Sequence, residues 1–184
     1  MMFRYLWSKP AGGGPAPLIR NPVQSWMIAL VVSHLILFLF ASLTFAFPSI
    51  TDMSCRILVD NTAYCGICVA VAFSMLFYFS VLSCQDWGTE QYWAIGAVVT
   101  LSMACLDIVT AGWGNYVFFT ATQTLQQAGS EIQKDCDEWK SIVFYYCTAA
   151  VIGLHMVIAL MCGAVSFRLT GGISAQLEEI RRLV

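Results

Sequence analysis

The chain has 184 residues, of which 59% are hydrophobic and 11% are charged, and its formal net charge is −2. A soluble domain carries roughly a quarter of its residues as charged ones, so this composition, with a mean hydropathy of +0.72, excludes an ordinary soluble protein. The small negative charge also excludes the basic surface that nucleic-acid binding requires. We therefore expect an integral membrane protein whose surroundings are lipid and other membrane proteins, with no nucleic-acid partner.

The N-terminal segment, residues 1–22, has no continuous apolar stretch of the kind found in a cleavable signal peptide. It contains the run "KPAGGGPAPLIRNP", and such a density of Gly and Pro is typical of an irregular connection. We predict a flexible cytoplasmic lead-in to the membrane domain.

Four later segments are long and apolar enough to cross about 30 Å of hydrocarbon, which takes roughly 20 helical residues. These predicted spans are residues 24–47, 65–84, 92–120 and 141–167. Two prolines, Pro22 and Pro48, bracket the first span at positions where proline costs a helix least. The fold class is therefore all-α: an antiparallel bundle of four transmembrane helices with short loops, in one domain over residues 23–168.

The C-terminal segment, residues 169–184, is predicted to be a cytoplasmic tail. Its sequence places four apolar residues at helical spacing, namely Ile173, Leu177, Ile180 and Val184. This pattern favours a short amphipathic helix that lies on the membrane surface or against a partner, and a frayed tail is the alternative.

The distribution of Lys and Arg predicts the orientation. Three basic residues lie on the predicted loop side, and six lie on the side of the termini: Arg4, Lys9, Arg20, Arg168, Arg181 and Arg182. Because cytoplasmic segments carry the excess of basic residues, both termini are predicted to be cytoplasmic. The organelle is not determined by this pattern.

One acid, Asp107, lies inside the third predicted span, in the run "MACLDIVTAGWGN". At 1.5 Å per residue it is roughly 22 Å from the cytoplasmic end, and the chain's two histidines, His34 and His155, are roughly 15 and 18 Å from theirs. An ionised acid that faces lipid costs several kcal/mol at least. We therefore expect the three side chains to form one polar layer inside the bundle.

This polar layer has a structural interpretation and several functional ones. The structural one is an interhelical clasp that fixes helix register through hydrogen bonds. The functional ones are a proton relay, an ion site, or a pair of axial ligands for haem b, since two histidines on different helices are the minimum for bis-histidine ligation. Nothing else in the sequence indicates a cofactor pocket, so no cofactor and no metal are expected.

Small residues on the third and fourth spans predict places where helices approach closely. Gly112 and Gly114 flank Trp113, and two pairs occur at four-residue spacing on the fourth span: Ala149 with Gly153, and Ala159 with Gly163. They serve either packing within the chain or contact between copies of it.

Three of the eight cysteines, Cys55, Cys65 and Cys136, lie on the predicted non-cytoplasmic side, where disulfides persist in an oxidising compartment. A Cys55–Cys65 bond would close the first loop, whereas a Cys55–Cys136 bond would tie two loops together. The spacing does not distinguish the two.

The sequence "CGIC", Cys65 to Cys68, supports an enzymatic alternative. A Cys-x-x-Cys pair at the mouth of the second of four helices resembles the DsbB-type quinone reductases and the vitamin K epoxide reductases. That resemblance implies a thiol–disulfide oxidoreductase in which Cys65 and Cys68 pass electrons to a quinone and Cys136 exchanges with substrate thiols. No arginine follows the motif as it does in the DsbB type, and the third loop offers one cysteine instead of two.

Taken together, residues 20–170 resemble the MARVEL-type membrane proteins of the synaptogyrin, synaptophysin and MAL branch. The resemblance is carried by "NPVQSW" before the first span, "YCGICVAVAFSMLFYFSVL" in the second, "QYWAIGAVVTLSMACLDIVTAGW" in the third and "SIVFYYCTAAVIGLHMVIALMCGAVSFRL" in the fourth. It implies a non-enzymatic protein that organises membrane domains or vesicles, or an accessory subunit of a larger membrane complex. Its expected partners are other membrane proteins or a second copy of itself.

Overall fold

The computed structural model describes residues 22–47, 55–84 and 90–183, and within them the chain is almost entirely helical. The predicted segment 1–22 lies outside the described residues except for Pro22. Five α-helices are present in this part of the chain: α1 (Pro22–Ala46), α2 (Val59–Ser83), α3 (Glu90–Gln127), α4 (Ser130–Cys136) and α5 (Trp139–Leu183). A 3₁₀ turn, Arg56–Leu58, precedes α2.

Four of these helices are long and apolar enough to span a membrane: α1, α2, α3 and α5. The protein is therefore a multi-pass integral membrane protein with an all-α bundle fold. The most extensive packing joins α3 to α5 and α1 to α2, and α5 also packs on α1 and α2 on α3. The four spans thus surround a common centre.

The buried residues of each span follow one another at alternating steps of three and four, the spacing of a left-handed coiled-coil bundle. On α1 they are Val23, Met27, Leu30, His34, Leu37, Ala41 and Thr44. On α3 the same spacing joins the buried residues Trp93, Ala97, Thr100, Ala104, Asp107, Ala111 and Gly114. His34 and Asp107 each occupy the middle of such a stripe, so both side chains point to the bundle centre.

The helix ends differ from the predicted ones in two places that affect the site. The second helix starts at Val59 and not at Cys65, because Asn61 and Thr62, two polar residues that suggested a loop, are buried within its first turns. Cys65 therefore lies well inside the helix. The fourth span continues without a break to Leu183, so the predicted C-terminal helix is an extension of α5. The side chains of its predicted apolar face lie outside the described residues.

A disulfide joins Cys55, just before the 3₁₀ turn, to Cys136, the last residue of α4. Of the two predicted alternatives, the structure therefore contains the bond between loops. It ties the connection before α2 to the connection before α5 at one end of the bundle. Because the chain crosses the membrane four times, Pro22 and the C-terminal end of α5 lie at the end of the bundle opposite the disulfide.

Candidate functional site

The centre of the bundle holds a cluster of fully buried polar side chains, which we call the central cluster: His34, Asp107 and His155. The Nδ1 atom of His155 and the Oδ1 atom of Asp107 share a hydrogen bond of 2.8 Å. The Nε2 atom of His34 lies 3.8 Å from the other carboxylate oxygen, Oδ2. Both histidines thus lie next to Asp107, and the three residues come from α1, α3 and α5.

His34 is fixed by its own helix and by α2. Its Nδ1–H donates to the Leu30 carbonyl over 2.8 Å, one turn earlier on α1. Its ring packs against Phe79 with centroids 5.0 Å apart, and its Nε2 atom lies 3.1 Å from the Met75 sulfur. The side chain therefore has a defined rotamer and a defined tautomer in its neutral form.

Two atoms of the central cluster have no hydrogen-bond partner among the described residues, namely Asp107 Oδ2 and His155 Nε2. The hydrogen bond that is present joins α3 to α5, which is the contact that a clasp between helices requires.

The central cluster does not fit a haem held by two histidines. Both imidazoles approach the same carboxylate, at 2.8 and 3.8 Å, so Asp107 takes the space that an iron atom and its porphyrin ring would need.

Two further residues of the bundle centre were missed by sequence reasoning, Met75 on α2 and Cys162 on α5. Both are buried, and the ligand atoms of His34, Asp107 and Cys162 lie within 4.8 Å of one another. Met and Cys are ordinary apolar residues of a membrane helix, so composition gave no signal. The available signal was spacing: Cys162 follows His155 by seven residues on the same helix face.

The geometry of the Cys65–Cys68 pair does not match the predicted redox site. Both thiols are free and fully buried, and the Cys65 sulfur contacts the Thr148 hydroxyl of α5 at 3.9 Å. The predicted exchange partner, Cys136, is bonded to Cys55. Cys65 is therefore not a disulfide partner, and substrate thiols have no direct access to the motif.

The predicted small-residue contacts are divided between the bundle interior and its surface. Gly114 faces Tyr64 of α2 so closely that an added Cβ atom would lie 2.5 Å from the phenol oxygen. Gly112, Gly153 and Gly163 have no heavy atom of the described residues within 4 Å of an added Cβ atom, so packing within the chain does not explain them. Ala159 is buried, and Ala149 is half-buried.

The openings on the surface of the described part of the bundle include the following two. One, the lateral groove, has a volume of about 330 Å³ between α1 and α5 and is lined by Trp26, Ala29, Leu30, Met161, Ala164, Val165 and Arg168. The other is a recess of about 720 Å³ near the disulfide, lined by Arg56, Ile57, Thr124, Gln127, Ala128, Ile132 and Asp135. Of these two openings, the lateral groove is bounded by two membrane spans.

Searches of protein-family models, of curated proteins and of solved structures found no match to this chain.

Proposed function

We propose that this chain is a non-enzymatic membrane protein of MARVEL type that acts by lateral contact with other membrane proteins, as an accessory subunit or as an organiser of a membrane domain. The lateral groove is the observation that carries this proposal. Its walls include Ala29 and Ala164, and small residues on a membrane-facing surface let the backbone of another helix approach closely.

The chemistry of the groove fits a transmembrane helix of a partner protein. Its walls are mostly apolar, as a helix in hydrocarbon requires, and its one charged lining residue is Arg168. Arg168 follows the predicted fourth span, at the predicted cytoplasmic surface, where a partner's acidic residue can pair with it in water. Trp26 lines the same groove near the start of α1, and an indole is favoured at this level of the membrane.

The interior of the bundle supports the same proposal. The buried polar groups are turned toward one another and bridge α1, α3 and α5, so the bundle is a preformed unit with an apolar exterior. The free thiols of Cys65 and Cys68, on which the enzymatic alternative depends, are buried inside this bundle. Contact through the outside is therefore the function that this architecture supports best.

The disulfide supports the predicted orientation. Disulfides persist in oxidising compartments, and Cys55–Cys136 lies at the end of the bundle opposite Pro22. An oxidising space on that side is the arrangement that the distribution of basic residues also favours, with both termini in the cytoplasm.

Purification from its native membrane in mild detergent, followed by native mass spectrometry, tests the proposed function. We expect a complex larger than the monomer, and we expect Ala164→Leu, which fills the lateral groove, to reduce it at least tenfold. The matched control is Ala150→Leu, at an exposed position of the same helix that does not line the groove. A monodisperse monomer, or equal loss with both variants, contradicts the proposal.

A further inference from the structure

In the bundle centre, several atoms with free lone pairs face one another, and no strong hydrogen-bond donor lies between them. His34 donates its Nδ1–H to the Leu30 carbonyl, which can only accept, so in the neutral imidazole Nε2 carries a lone pair. That lone pair is directed to the Met75 sulfur at 3.1 Å and lies near Asp107 Oδ2 at 3.8 Å. Neither a thioether nor a carboxylate has a proton to give.

The Cys162 sulfur completes this set. The ligand atoms of His34, Asp107 and Cys162 lie within 4.8 Å of one another, and all three side chains are fully buried. Asp107 Oδ2 has no hydrogen-bond partner among the described residues. Lone pairs held together in a medium of low dielectric constant repel one another, so the site is stabilised by a cation at its centre.

The types of ligand indicate which cation fits. Imidazole nitrogen, thiolate and thioether together are a soft set, and thioether and thiolate sulfur favour copper(I) among the common metals. Each of the four spans supplies one ligand: His34 from α1, Met75 from α2, Asp107 from α3 and Cys162 from α5. Ligand atoms that bind a metal ion tetrahedrally at about 2.0–2.3 Å lie about 3.5 Å from one another. The ligand atoms of His34, Asp107 and Cys162 lie within 4.8 Å of one another, so they need to move together by about 1 Å to bind an ion.

The binding step balances in charge. With Asp107 ionised and both imidazoles neutral, the buried layer carries one negative charge. On binding, copper(I) forms a bond to the Cys162 sulfur and the thiol proton leaves to solvent, so one positive charge replaces another and the layer keeps its charge. No electron is transferred in this step. The preference for copper(I) over a divalent ion therefore rests on the sulfur ligands, the Met75 thioether above all.

His155 has a supporting role in this arrangement. It holds Asp107 Oδ1 through the 2.8 Å hydrogen bond, which leaves Oδ2 oriented to the site. Partners of this kind, outside the ligands themselves, commonly orient metal-binding carboxylates.

We propose that the centre of the bundle is a copper(I) site formed by His34 Nε2, Met75 Sδ and Cys162 Sγ, with Asp107 Oδ2 as a fourth ligand. The site is independent of the lateral groove, so the proposed contact function does not depend on it.

Copper(I) binding to the purified full-length protein tests the site. The protein in detergent is titrated with copper(I) under ascorbate against a chromogenic chelator, and bound metal is counted by mass spectrometry. We expect one copper per chain, with sulfur ligands in the X-ray absorption spectrum. Met75→Leu and Cys162→Ala should each weaken binding at least tenfold.

The controls are matched in burial. Met27→Leu changes a fully buried methionine of α1, and Cys68→Ala a fully buried cysteine of α2, both outside the proposed ligand set. They should bind copper as the wild type does. Met75→Leu is close to isosteric, so it tests the site even where Cys162→Ala fails to fold.

Four results would overturn the proposal. The first is that the folded wild-type protein binds no copper in competition with the chelator, in which case the cation of the site is a proton. The second is equal copper binding by the ligand and control variants. The third is a copper spectrum without sulfur ligands, and the fourth is zinc retained in preference to copper.

Discussion

Asp107 of α3 and His155 of α5 share a hydrogen bond of 2.8 Å in the middle of the bundle, where both side chains are fully buried. In hydrocarbon neither group has water as an alternative partner, so a rotation of α3 or α5 that breaks this contact leaves a polar group without its partner inside the membrane. The pair therefore fixes how the two most extensively packed helices face each other.

The close contact between Gly114 and Tyr64 predicts a strong effect of a single methyl group. Gly114→Ala should destabilise the bundle by about 1–3 kcal/mol, because an added Cβ atom would overlap the buried phenol ring. Thermal unfolding in detergent measures the change. Gly112→Ala is the control, since no described heavy atom lies within 4 Å of its added Cβ atom. Equal destabilisation by both variants would show that Tyr64 does not pack there.

The disulfide should contribute to stability through the long chain segment that it closes. Cys55 and Cys136 are 81 residues apart, and removal of such a bond costs about 2–4 kcal/mol. Cys55→Ser should lower the thermal midpoint and leave Cys136 open to alkylation without reduction. Cys65→Ser should leave the bond intact, because Cys65 is free. Mass spectrometry that found Cys65 linked to Cys55 would contradict this account.

Cys84 allows a test of orientation. It is an exposed free cysteine that follows α2, at the opposite end of the bundle from the disulfide. With both termini in the cytoplasm, a membrane-impermeant maleimide should label Cys84 only from the cytoplasmic side of sealed vesicles. Cys84→Ser provides the background from the other free cysteines, among which Cys105 of α3 is exposed and Cys147 of α5 is half-buried. Labelling from the outer side would reverse the predicted topology.

The number of spans and the all-α class could be predicted from the sequence because hydrophobic length alone decides them. The depth of His34, Asp107 and His155 followed from counting residues along helices. Their rotation did not, since the lipid-facing residues of α1, such as Ile36 and Leu43, are as apolar as its buried residues. A soluble helix shows its inner face by contrast with a polar outer face, and a membrane helix lacks that contrast.

The start of α2 was misjudged for a related reason. Asn61 and Thr62 are polar and near a predicted loop, yet both are buried in the helix. The 3₁₀ turn before α2 packs against α2 and α3, and the Cys55–Cys136 disulfide holds it at this end of the bundle, a tertiary arrangement that local sequence does not encode. The roles of Met75 and Cys162 depend in the same way on which residues face them from other helices.

The central claim is that the acid of α3 is paired inside the bundle, and a double-mutant cycle between Asp107→Ala and His155→Ala tests it most directly. Unfolding free energies of the wild type, both single variants and the double variant give the coupling between the two side chains. Thr44→Ala is the control partner for Asp107→Ala, because the Thr44 hydroxyl donates to the carbonyl of Phe40 on its own helix and not to another of the described helices.

We predict a coupling of about 0.6–1.7 kcal/mol for the Asp107–His155 pair, the range of hydrogen bonds between membrane helices, and additivity for Asp107 with Thr44. Additive effects of Asp107→Ala and His155→Ala would show that the two side chains do not meet in the membrane.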